Sequence, residues 1–219
     1  MTRLLFEKTG NAVWISHLDL MRLFQRAFKR AGLPLKHTQG FNPRPSVSIA
    51  LPLSVGVQSH CELLDFELDG DVVSNKEIKE KLNAALVAGV KVLHVYDNGR
   101  KLKDLALLSC SVDLEYDNGG AEEAAGTIQA LFAQPFVTVV KKGKNGPVEQ
   151  DIIPMIKKIS VNATDANTVR LNALICCQNP SLNPMQLVAA IEHYLPQWKP
   201  DHALYCRNEL FDVNEKLFR

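Results

Sequence analysis

Residues 16–34 read Ser16-His17-Leu18-Asp19-Leu20-Met21-Arg22-Leu23-Phe24-Gln25-Arg26-Ala27-Phe28-Lys29-Arg30-Ala31-Gly32-Leu33-Pro34, and the elements around them follow from this stretch. A Ser with an acid three residues later is the capping-box pattern that opens a helix, although Asp is a weaker third-position partner than Glu or Gln. Leu20, Leu23, Phe24, Ala27, Phe28 and Ala31 recur at helical spacing, and Gly32 and Pro34 end the run. Residues 3–8 before this helix, and 46–51 and 61–68 after it, read as strands. Ser74-Asn75-Lys76-Glu77 is a second capping box, this one with Glu, and opens a helix with Ile78, Leu82, Ala85 and Leu86 inward. Residues 90–96 form another strand. The order is β-α-β-β-α-β.

Working outward, residues 97–104 are a polar break, so the expected domains are 1–98 and 103–219. The order then resumes with a strand at 105–116 and a helix at 121–132, its Ala124, Ile128, Leu131 and Phe132 on one face. Residues 136–141 and 148–153 suggest a hairpin turning at Asn145-Gly146. Residues 156–162 and 169–177 suggest another. Asn183 caps a helix that has Pro184 at its first position, and residues 202–213 make the last strand. Without the 136–153 hairpin the second half repeats the first in element order. The expected fold is therefore α+β, two tandem ferredoxin-like (split βαβ) units with antiparallel sheets.

The 219 residues are 46% hydrophobic and 22% charged, ordinary for a globular protein and unlike a fibrous or disordered chain. No apolar run approaches the roughly 20 residues that span a membrane, and residues 1–8 lack a signal-peptide core. Five cysteines, odd in number and without C-x-x-C spacing, fit reduced core residues and a cytoplasmic protein. The six histidines show no metal-ligand spacing. No P-loop, G-x-G-x-x-G, G-x-S-x-G or H-E-x-x-H is present. No metal and no cofactor are expected. The net charge of +1 conceals an asymmetry: residues 1–50 hold eight Lys or Arg against two acids, a net of +6, and the remainder sums to −5.

The positive part falls on one helix face and the loop after it. Arg22, Arg26, Lys29 and Arg30 lie at i, i+4, i+7 and i+8, which puts them together opposite the Leu/Phe side. Such a row suits a run of phosphates, although an ordinary solvated face carries the same residues. The loop reads Lys36-His37-Thr38-Gln39-Gly40-Phe41-Asn42-Pro43-Arg44-Pro45. Its prolines stiffen it, which lowers the entropy lost on binding. Phe41 offers a stacking face, Gln39 and Asn42 amide edges, and Lys36 and Arg44 cations, the means by which proteins hold single-stranded RNA. Alternatively Phe41 plugs the core. Ser16 and His17 stand at a helix N-terminus, where anions bind and neutral imidazole is favoured; Asp19 could orient a basic His17, or simply cap the helix. Lys141, Lys142 and Lys144 could add a second phosphate contact, or serve only as a solvated hairpin tip.

Ile15-Ser16-His17-Leu18-Asp19-Leu20-Met21-Arg22, Ala31-Gly32-Leu33-Pro34, Gln39-Gly40-Phe41-Asn42-Pro43-Arg44-Pro45 and Leu51-Pro52-Leu53-Ser54-Val55-Gly56-Val57 resemble the bacterial radical-SAM-linked domain of unknown function. The match is dense over residues 3–68 and weaker beyond. The resemblance implies an accessory module that works beside a radical SAM enzyme. It gives no mechanism. Residues and resemblance together give three expected functions in descending order: an RNA-binding module, a protein-interaction subunit docking a radical SAM enzyme, and an enzyme acting on RNA or a phosphorylated substrate with His17, Asp19 and Arg44.

Overall fold

A computed structural model of the chain describes residues 1–143 and 146–219. It divides into two compact units, residues 1–102 with Arg219, and residues 103–218. Its architecture is mixed α+β with antiparallel strand pairing.

In the first unit, strand β1 (Thr2–Lys8) leads through a 3-10 turn (Gly10–Trp14) into helix α1 (His17–Arg30). Strands β2 (Val47–Ile49) and β3 (Val57–Phe66), helix α2 (Asn75–Ala85) and strand β4 (Val90–Asp97) complete it. The strands lie in the order β4-β1-β3-β2, every neighbour antiparallel. The apolar stripe on α1 explains its seat. Leu20, Phe24, Ala27 and Phe28 are buried against Leu4, Phe6, Leu64 and Phe66 of the sheet. Phe24 meets Phe6 edge-on at 4.7 Å between ring centroids, and Phe28 meets Phe66 at 4.9 Å. Each buried Phe contributes about 1.5–3 kcal/mol of transfer energy. Strand β2 is shorter than its sequence suggests because Leu51 takes a positive φ of 51°, outside the extended region.

The opposite face of β1 and β3 holds a buried ion pair. Arg3 and Asp65 are register partners. The guanidinium donates from Nε at 2.6 Å and from Nη2 at 2.9 Å to the two carboxylate oxygens. Its Nη1 donates to the Arg100 carbonyl at 2.8 Å. Gly99 lets the chain pass over the guanidinium, since a Cβ there would sit 2.9 Å from Arg3 Nη1.

The second unit runs through β5 (Leu107–Glu115), α3 (Ala121–Phe132), β6 (Thr138–Gly143), β7 (Gly146–Asp151), β8 (Ile156–Ala163), β9 (Thr168–Cys176), α4 (Pro184–Tyr194) and β10 (His202–Phe211). Its sheet is ordered β10-β5-β9-β8, and β6 and β7 form a separate hairpin. Lys144 and Asn145 lie outside the described residues.

Helix starts separate two kinds of Ser or Asn signal. Asn183 makes the full reciprocal box: Met185 N–H donates to its side chain, and its own N–H donates to Gln186 Oε1. Ser74 makes only half of one. Glu77 N–H donates to Ser74 Oγ at 3.2 Å, but the Glu77 carboxylate pairs with Lys81 at 2.7 Å. All five cysteines are free; Cys206 is half-buried rather than core. Burial pushes the Cys110 and Cys177 thiols up to about 12.

Candidate functional site

The start of α1 is fixed from below. The Lys8 side chain is buried and donates from Nζ to the carbonyls of Val13 at 3.0 Å and Ile15 at 2.8 Å, fastening the 3-10 turn to β1. Burial pushes its ammonium below the usual lysine range, and the Glu62 carboxylate opposes that shift. Ser16 is then the N-cap: Asp19 N–H donates to its Oγ at 3.2 Å, and its hydroxyl donates to Asp19 Oδ2 at 2.8 Å. Arg22 donates to the other Asp19 oxygen at 2.9 Å. The Ser16 hydroxyl and the Arg22 guanidinium hold the Asp19 carboxyl below the usual carboxylate range.

Of the two roles open to Asp19, the structure shows the cap. Its two oxygens accept from Ser16 and Arg22, and no hydrogen bond joins it to His17 among the described residues. The His17 Nδ1 atom is enclosed and has no hydrogen-bond partner among the described residues. A general base needs a partner that sets its tautomer and direction, and this imidazole has none there.

Arg22, Arg26, Lys29 and Arg30 are all exposed on the solvent side of α1, as their spacing requires. They are not equivalent. Arg22 is tied to Asp19, and Arg30 donates from Nη2 at 2.6 Å to the carbonyl of Ala85, the last residue of α2. Arg26 and Lys29 carry no side-chain hydrogen bond or ion pair among the described residues.

The helix ends in a Schellman motif. Gly32, with φ +67°, donates to the Lys29 carbonyl at 3.2 Å, and Leu33 donates to the Phe28 carbonyl at 3.0 Å. This turns the chain back across the helix end. What the sequence presents as an irregular stretch is a short, bonded finger. Lys36 N–H donates to the Glu67 carbonyl at 2.9 Å, Ser46 N–H to the Lys36 carbonyl at 2.6 Å, and Thr38 N–H to the Arg44 carbonyl at 2.8 Å. Arg44 N–H returns to Thr38 Oγ1 at 3.0 Å. Residues 39–43 form the tip, where Gly40 takes φ +128°, a conformation that suits glycine. Phe41 is fully exposed and plugs nothing. Gln39, Asn42 and Arg44 are exposed beside it, and Lys36 at the base stands 3.4 Å from Glu67.

Between the end of α1 and the finger base lies a cleft of about 360 Å³. Leu33, Leu35 and Pro45 contribute apolar wall; Gln25, Lys29 and His37 contribute the polar groups. Gln25 and His37 are the site residues that sequence reasoning misses. The available signal is that Gln25 precedes Lys29 by four residues and so shares its face. No group of three or more His, Cys, Asp or Glu among the described residues could hold a metal ion. Of the hairpin lysines, Lys141 is exposed on β6, and Lys144 lies outside the described residues.

Fold and site together define a mixed α+β protein with a cationic helix face beside a stiff finger and cleft. No helix among its described residues is long and apolar enough to cross a membrane. The family model for an uncharacterized protein conserved in bacteria, DUF2344, matches residues 2–184, and the chain belongs to that family. No curated protein matches it. Among solved structures, it is similar to an unknown protein from Galdieria sulphuraria at 11% identity and a TM-score of 0.27, over 97% of each chain.

Proposed function

We propose that this protein is an accessory RNA-binding module of the bacterial cytoplasm, acting beside a radical SAM enzyme in RNA modification or processing. It holds RNA by the face of α1 and the 36–46 finger. The observation that carries this reading is Phe41, fully exposed at the tip of a backbone-bonded finger that follows the helix carrying the exposed cations Arg26 and Lys29. A fully exposed aromatic ring on a backbone-bonded finger fits a stacking platform for a base. The radical SAM partner rests on the sequence resemblance. Within each unit the strands follow the order fourth-first-third-second once the 138–151 hairpin is set aside, which supports two tandem ferredoxin-like units with that hairpin inserted in the second.

The test is RNA affinity against salt for the wild type and Arg26→Ala/Lys29→Ala. The slope of log affinity against log salt should fall by about 0.7 for each phosphate that the variant no longer neutralises. Salt-independent binding, or a double variant identical to the wild type, would overturn the reading.

A second reading, docking onto a partner enzyme, has its own support. Trp14, Leu18 and Val55 are exposed apolar side chains near the start of α1, and the Trp14 ring lies against Gly56. A complex that survives nuclease and fails after charge reversal at Arg26 and Arg30 would favour it.

A further inference from the structure

The cleft beside the finger invites a finer assignment than a cationic surface. It is small, at the low end of the roughly 300–1,000 Å³ typical of small-molecule sites. That volume suits one nucleotide and excludes a duplex. Its apolar walls are supplied by Leu33, Leu35 and Pro45. Its polar groups are an amide, an imidazole and an ammonium, with no carboxylate among the residues lining it. Gln25, Lys29 and His37 hold no side-chain hydrogen bond or ion pair among the described residues, so their donors and acceptors are not already spent on the fold.

The geometry points to a slot for one unstacked nucleotide of single-stranded RNA. This rests on the RNA-binding reading and names what that surface would select. An amide offers a donor and an acceptor to a base edge, and neutral imidazole offers one of each. The apolar walls of Leu35 and Pro45 cover the base, Gln25 and His37 meet its edge, and Lys29 with Arg26 holds the adjacent phosphates. Phe41 at the fingertip then stacks on a neighbouring base of the same strand. Specific RNA recognition generally takes this form, because an unpaired base exposes edges and faces that a helix hides.

Fluorescence anisotropy with eight-nucleotide homopolymer RNAs and a duplex of equal length tests the slot, alongside chemical-shift titration with the four nucleoside monophosphates. Leu35→Trp fills the cleft and leaves every cation in place. It should weaken single-strand binding about tenfold, the worth of one stacked base, with duplex binding and salt slope unchanged. Gln25→Ala keeps the helix, since Ala is its best former, and should weaken the preferred homopolymer about fivefold, the worth of one hydrogen bond. If both variants bind single strands within twofold of the wild type while Arg26→Ala still weakens binding, the slot is wrong and the RNA-binding reading stands. Monophosphates that shift Gln25 and His37 without any RNA binding would remove that reading and keep a nucleotide slot. Binding of neither would remove both.

Discussion

With the β6–β7 hairpin set aside, the two units share an element order and a strand order, and they put opposite chemistry on matching positions. The first helix of the first unit, α1, carries Arg22, Arg26, Lys29 and Arg30; the first helix of the second, α3, has Glu122 and Glu123 and no Lys or Arg. After α1 comes the bonded finger with Phe41 at its tip, and after α3, at the same point in the order, comes the β6–β7 hairpin. Each unit also places an Arg–Asp pair directly across its first and third strands. Arg3–Asp65 has side chains 5% and 11% exposed; Arg170–Asp113 has side chains 49% and 25% exposed. One strand order therefore carries two surface chemistries, and local residues decide which.

The ion pairs give the largest expected difference. Arg3→Ala leaves Asp65 buried without its partner and should cost about 3–5 kcal/mol in urea unfolding. Arg170→Ala, at an exposed pair of similar geometry, should cost about 0–1 kcal/mol. Equal costs would break the comparison. RNA affinity comes next. Phe41→Ala should lose about 1–3 kcal/mol of RNA binding, and Val140→Ala on the hairpin should lose none. Neither should change stability by more than about 0.5 kcal/mol, because both side chains stand in solvent. An equal loss of RNA binding from the two would make the finger unexceptional.

The smallest effect is alkaline. Cys110 and Cys177, both in the second unit, are raised by burial from an ordinary value near 9 to about 12. Between those values the unfolded thiols release protons that the folded thiols keep, so stability is full below pH 9 and falls as pH rises toward 12. The ceiling is about 1.4 kcal/mol per thiol per pH unit. Cys110→Ala/Cys177→Ala should flatten that decline in pH-dependent unfolding, and an unchanged slope would show that these thiols do not contribute.

Much of the scaffold was legible because its signals are local. Ser16, the Leu/Phe stripe and Gly32 mark α1 without reference to anything distant, and Asn183-Pro184 marks α4 the same way. The candidate site was legible in composition and illegible in arrangement. The finger depends on Thr38–Arg44 bonds that no residue type announces, and the cleft depends on the Schellman turn carrying Leu33 and Pro34 back over Gln25 and Lys29. Arg22 three residues after Asp19 is a standard helical pairing, yet a nearby histidine makes the same carboxylate look catalytic. The Arg3–Asp65 pair joins residues 62 apart and requires the sheet register before it can be seen.

Photo-crosslinking of a 4-thiouridine-labelled single-stranded RNA, mapped by mass spectrometry, tests the central claim most directly. Crosslinks should fall on peptides covering residues 22–46, Phe41 among them, and disappear in competition with unlabelled single strand. Crosslinks confined to α3 or to the β6–β7 hairpin, or spread evenly over both units, would contradict it.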